Sequence, residues 1–189
     1  MKLLLFLTTF IPSILSNNTS SLSWAVWKES TVSISGSSNV NHFIFTSGFY
    51  EGKDTMVISL ASQGKKFLFE KGLLQMPVKN FRNSNARLTR DFKKTLNAAA
   101  YPNILMNFRS ISGLNQQAEA MVEITLAGKT ITRYLKLENC QKNNCLNLKG
   151  KEIMKFSDFG LKPPKNVLGF IDVKDELEVE FNLVLKQVR

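Results

Sequence analysis

Apolar and polar residues alternate with period two through most of this chain, and that alternation predicts β-strands. Val32 and Ile34 alternate with Ser33 and Ser35, a turn falls over 36–39, and Phe43, Ile44 and Phe45 begin a second strand. Short strands are expected over 56–60 and 67–69, on either side of Gln63-Gly64. Ala120, Val122, Ile124 and Leu126 alternate with Met121, Glu123 and Thr125; Ala127-Gly128 then supplies a turn, and the return strand runs over 130–138, a hairpin signature. The last strand alternates most cleanly. Leu177, Val179, Phe181, Leu183 and Leu185 face one way and Glu176, Glu178, Glu180 and Asn182 the other, so one face is buried and one is wet.

Residues 73–108 interrupt this rhythm. Leu88, Phe92, Thr95, Leu96 and Ala99 share one side of a helical wheel, with Arg90, Lys93, Lys94 and Asn97 on the other. Tyr101-Pro102 stops that helix, because a residue before proline is pushed towards extended geometry, and Ile104, Met106 and Phe108 resume the alternation. Many strand segments with one helix predict an all-β fold, an antiparallel barrel or sandwich with one amphipathic helix inserted between strands. The stripe of Leu88, Phe92 and Leu96 needs an apolar surface to cover and is expected to act as a lid on it.

The N-terminus is set apart from the fold. Met1-Lys2 and the apolar run 3–15, broken by Thr8, Thr9, Pro12 and Ser13, read as the n- and h-regions of a signal cleaved after Ser16. The run is short of the roughly 20 residues a membrane span needs. The expected organisation is therefore a signal peptide over 1–16, a loose segment over 17–23 and one barrel domain over 24–189, in a periplasmic or secreted protein. The 189 residues suit a single core of that kind.

Composition narrows the chemistry. The 25 Lys+Arg outnumber the 15 Asp+Glu, a net charge of +10 that favours anionic surfaces. The basic residues are scattered, which reads most simply as a solvated surface; contact with a membrane surface is the functional alternative, and export argues against nucleic acid as a partner. Cys140 and Cys145 flank four polar residues, a spacing that in an exported chain suits a disulfide across a hairpin mouth. A metal site would need further soft ligands, and His42 is the only histidine.

Catalytic equipment is scarce. His42 has no nucleophile signature beside it, and glycine-rich phosphate loops and zinc or calcium ligand spacings are missing from the sequence. Asp158-Phe159-Gly160 copies a kinase tripeptide without its companion motifs and reads as a turn. The row Glu176, Glu178, Glu180 is expected to face solvent or to meet lysines of a neighbouring strand. The expectation is no enzyme, with no catalytic residue, no metal and no cofactor. Arg133 shares a register with Ile131, Leu135 and Leu137, where an unpaired charge is expensive to bury, so either a bulge turns it outward or an acidic group meets it. The 14 phenylalanines can fill a core or line an apolar cavity.

Several segments together resemble a known family. Residues 30–45 (STVSISGSSNVNHFIF), 77–88, 96–104, the hairpin 122–131, and 157–164 (SDFGLKPP) through 169–181 occur in an order and spacing similar to the YceI-like family. Those are exported bacterial proteins with a lipocalin-like antiparallel barrel that bind polyisoprenoids or similar amphiphiles. The resemblance spans nearly all of the chain beyond the signal. It implies an apolar tunnel lined by Ile34, Phe45, Ile104, Phe108, Val122, Ile124, Phe159, Phe170, Val179 and Phe181, with the ligand's polar head near the mouth. The implied occupant is a long-chain isoprenoid, an isoprenoid quinone or another lipid, held as ligand. Two departures stand out: Asn-Val-Asn-His replaces the family's more usual threonine-leucine-histidine-aspartate, and the cysteine hairpin is not general to it. The competing function class is a non-carrier interaction module, its basic surface set against an anionic membrane or polymer. Oligomeric state stays open, a dimer included.

Overall fold

A computed structural model describes residues 21–48, 50–52, 54–60, 66–113, 117–164 and 171–188. The expected signal peptide, the Gln63-Gly64 turn and Phe170 lie outside the described residues. Among these residues the strands are β1 Ser21–Val26, β2 Thr31–Ser38, β3 His42–Thr46, β4 Thr55–Leu60, β5 Lys66–Lys71, β6 Leu73–Pro77, β7 Asn103–Ser112, β8 Ala118–Leu126, β9 Lys129–Lys142, β10 Cys145–Lys155 and β11 Val173–Val188, with one α-helix, α1 Ala86–Thr95. All pairings are antiparallel. Pairing of β1 with both β4 and β11 closes a ring of eight strands in the order β1-β4-β5-β7-β8-β9-β10-β11. The alternating positions point as the sequence predicts: Ala120, Val122, Ile124 and Leu126 are buried, as are Leu177, Phe181, Leu183 and Leu185.

The ring is closed along only half its height, because its longest strands change partners along their length. Strand β11 pairs with β1 from Leu185 to Val188 and with β2 from Leu177 to Asn182. Likewise β7 pairs with β5 through Ser110 to Ser112 and with β6 through Asn103 to Asn107. Beyond these switch points the wall parts in two places. Strands β3 and β6 are not paired with each other; β3 is tied instead to the segment after β6, by the bridge Thr46–Arg82 and by Asn83 Nδ2 donating to Ile44 O at 2.7 Å, and β9 leaves β10 after Leu137 meets Gly150. The upper half is thus two facing lobes, β3-β2-β11-β10 and β6-β7-β8-β9.

Two glycines sit at these partings. A Cβ on Gly72, between β5 and β6, would lie 2.1 Å from the carbonyl oxygen of Phe108, whose N–H donates to Gly72 O at 2.9 Å. A Cβ on Gly150 would lie 2.3 Å from Cζ of Phe181, the residue opposite it on β11.

Four expectations need correction. The turn expected over 36–39 comes later, because β2 continues to Ser38, with Gly36 paired to Phe43 and Ser37 to His42, and Ser38 N–H donates to Asn41 O at 2.8 Å across the turn. Strand β1 starts at Ser21, so 21–23 belong to the barrel wall and not to a loose segment. Helix α1 is short: Asn85 Oδ1 caps its start by accepting from the N–H groups of Arg87 at 2.9 Å and Leu88 at 3.4 Å, and it ends at Thr95, with Asn97 at φ 49° turning the chain before Tyr101 is reached. Cys140 and Cys145 are both free thiols. Register explains why: Cys140 stands opposite Asn147 and Cys145 opposite Lys142, which leaves the cysteines as a diagonal pair. Diagonal Cβ atoms are about 7 Å apart, too far for the roughly 4 Å a disulfide requires.

Candidate functional site

The two lobes enclose an apolar pocket. From one lobe come Val32 and Ile34 (β2), Met154 (β10) and Leu177, Val179 and Phe181 (β11); from the other come Met76 (β6), Ile104 and Met106 (β7), Ile124 and Leu126 (β8) and Leu135 (β9). Phe159 completes the lining from a 3-10 turn, Ser157–Phe159, between β10 and β11. No polar side chain contributes, and the free space amounts to about 40 Å³. That is room for one water, which would find no hydrogen-bond partner there.

Of the ten positions implied for the tunnel, Ile34, Ile104, Ile124, Phe159, Val179 and Phe181 lie in this lining. Phe45, Phe108 and Val122 are buried but elsewhere: Phe45 stacks on Phe92, Phe108 packs 5.6 Å from Phe69 in the closed half, and Val122 lies opposite Arg133 in the wall. Sequence reasoning missed Val32, Met76, Met106, Leu126, Leu135, Met154 and Leu177. Their signal was present, since each occupies the inward register of a strand, but register says which face is buried and not at what height.

Each parting in the wall is stopped by a separate plug. Between β3 and β6 the plug is α1 with the segment 78–85. Phe92 stacks on Phe45 at 4.1 Å between centroids and lies 6.1 Å from Phe81, Leu96 is buried, and Leu88 is partly buried against the same cluster. The expected lid residues therefore come together, over the side of the wall. Outside, Arg87, Arg90 and Lys94 are exposed, and Lys93 Nζ donates to Lys79 O at 3.0 Å. The Tyr50 hydroxyl donates to Asp54, which also accepts from Gln75 N–H at 2.9 Å and so ties Tyr50 and Asp54 to β6. Burial first, and then the neighbouring Asp54, push the Tyr50 phenol well above its ordinary pKa.

Between β9 and β10 the plug is the Ser157–Phe159 turn. Arg133 Nη2 donates to Asp158 Oδ2 at 2.7 Å, and Asp158 Oδ2 also accepts from Lys155 N–H at 3.1 Å. The inward arginine thus has an acidic partner. Asp175 on β11 accepts from both the N–H and the hydroxyl of Ser157, and the hydroxyl bond chiefly holds its carboxyl below the ordinary carboxylate pKa.

Other sequence candidates stay apart from the pocket. His42 is exposed at the start of β3. Glu178 and Glu180 flank Lys151 Nζ at 2.7 and 3.6 Å, and Glu176 lies 3.9 Å from Lys155 Nζ, so the acidic row meets lysines of β10.

A closed antiparallel barrel with its core inside and one helix set into the wall is a lipocalin-like barrel. No protein-family model matches the chain, and no curated protein matches it by sequence. Solved structures do. A polyisoprenoid-binding domain from Saccharophagus degradans superposes with a TM-score of 0.64 at 10% identity, over 88% of this chain and 99% of that one. BcnA of Burkholderia cenocepacia gives 0.56 at 16% identity, over 82% and 96%. The YCEI protein of Campylobacter jejuni gives 0.52 at 11% identity, over 100% and 99%. The chain has the YceI-like fold.

Proposed function

We propose that this protein binds a long-chain apolar amphiphile, an isoprenoid or similar lipid, between the two lobes, and that it works as an exported carrier without catalysing a reaction. The observation that carries this reading is the uninterrupted apolar lining at the level where the wall parts into plugged seams. The S. degradans neighbour, described as a polyisoprenoid-binding domain, supports it. Burying one isoprene-sized unit contributes about 2–4 kcal/mol before ordering costs, so several units suffice without any charged contact. Ligand pockets typically hold about 300–1,000 Å³, so loading requires the lobes to part. Met76, Met106 and Met154 are unbranched and adapt their shape readily, and the seam plugs can move without breaking a continuous strand ladder.

The test is organic extraction of protein purified from membrane-containing cells, followed by mass spectrometry. Recovery of about one lipid per chain is expected, and a folded Phe92→Asp variant should retain much less, because its seam plug is lost. Repeated recovery of no lipid would end the carrier reading. The small free volume and the exposed basic face of α1 favour a second reading, an interaction module on an anionic membrane or polymer. Salt-sensitive vesicle binding untouched by Ile124→Trp, in the pocket lining, would select it.

A further inference from the structure

One charged pair is built into the inward register of the barrel at the edge of the pocket. The ion pairs Arg109–Glu123, Lys151–Glu178 and Lys155–Glu176 stand on outward positions of their strands, where solvent already serves them. Arg133 instead lies between Ile131, packed against the core, and Leu135, which lines the pocket. Its partner Asp158 immediately precedes Phe159, another lining residue. Both side chains are about 30% exposed (30% and 28%), so the pair sits at the boundary between apolar interior and solvent. It also lies where β9 and β10 have separated, so its partner is carried by a turn and not by the next strand.

We infer that Arg133 is the anchor for an anionic head group, and that the ligand is an apolar chain ending in a phosphate-like or carboxylate-like anion. Asp158 holds the anchor's place in the empty protein. The planar guanidinium offers several N–H donors, and a carboxylate occupies one of its nitrogens here at 2.7 Å. An incoming anion attached to a chain in the pocket presents the same acceptor chemistry to Arg133. It would replace Asp158, freeing the Ser157–Phe159 turn to swing outward as the lobes part. This inference rests on the binding reading above and adds the chemical class of the head and its position at the β9–β10 seam.

The test uses the full chain, stripped of lipid, titrated calorimetrically with two probes that share a tail, farnesyl monophosphate and farnesol. Wild type should bind the phosphate at least about tenfold more tightly than the alcohol, the scale of a charge-assisted hydrogen bond. Arg133→Gln should abolish that preference, bringing the two probes to within about twofold of one another whatever their absolute affinity, Arg133→Lys should restore part of it, and Asp158→Asn should tighten phosphate binding severalfold relative to farnesol by removing the competing carboxylate. Equal affinity for the two probes in wild type, or a preference that survives Arg133→Gln, overturns the inference and leaves the binding reading standing. Binding of neither probe overturns both. Should Arg133→Gln fail to fold, Asp158→Asn decides, because unchanged phosphate affinity in that variant also overturns the inference.

Discussion

In the closed half of the barrel, Trp24, Met56, Phe69, Phe108, Ile111, Leu148 and Leu185 meet inside a wall whose strands are paired all the way round. In the split half, residues of the same types, partly on the same strands (β7, β10 and β11), face one another across two seams, and what stops those seams is a helix on one side and a turn on the other. Hydrogen-bond closure rather than hydrophobicity therefore separates the halves. A continuous ladder fixes the distance between opposing side chains and lets them pack without gaps. Where the ladder stops, the lobes are held by a stacked ring at one seam and an ion pair at the other, and free volume collects between them.

Unequal cores are the largest expected effect. Phe108→Ala, in the closed half, should cost about 3–5 kcal/mol in urea unfolding, whereas Met154→Ala, beside existing free space and flexible neighbours, should cost about 2 kcal/mol. Equal costs would break the comparison, since both ends would then be equally well packed. Next in size is the place where the halves meet. Gly150→Ala puts a methyl 2.3 Å from Phe181 Cζ and 2.8 Å from Leu137 Cδ2, so a loss of about 1–3 kcal/mol and a lower melting temperature are expected. A neutral result would mean that Phe181 can turn away and that the boundary is softer than its geometry indicates.

The smallest effect concerns the turn at the β9–β10 seam. The Asp175 carboxyl titrates below its ordinary 3.8 when folded, chiefly through the Ser157 hydroxyl. A depressed carboxylate stabilises the folded form above the unfolded pKa, and that contribution fades as pH falls below 3.8 through the folded value. Amide exchange in 157–159 should accelerate over that acid range before the closed half responds, and Asp175→Asn should flatten the dependence. Exchange that rises equally in both halves would show that the seam is no looser than the rest.

Much of this was legible beforehand because period two is a local property. The strand faces of 118–126 and 177–185 read directly from alternation, and the Ala127-Gly128 turn has both residues at positive φ, 49° and 81°, as the hairpin signature requires. Arg133 could be flagged as a misfit among Ile131, Leu135 and Leu137, but Asp158, 25 residues away, could not be singled out as its partner. The helix was visible and its end was not, because Asn97 adopts a positive φ that proline arithmetic at Tyr101-Pro102 does not anticipate. The cysteines show the same limit: four intervening residues suggested a bridge, and a two-residue offset in register set the thiols on a diagonal.

By itself, then, the sequence determined which face of each strand is buried, that one amphipathic helix interrupts them, and that the core is apolar. Those follow from side-chain order along the chain. Only the tertiary structure decided that β7 and β11 each change partners midway, that the wall parts at two seams, and that Phe92 and the Arg133–Asp158 pair stop them. Inter-strand register and the height at which a ladder ends are set by contacts between residues far apart in the chain, and no local pattern carries that information.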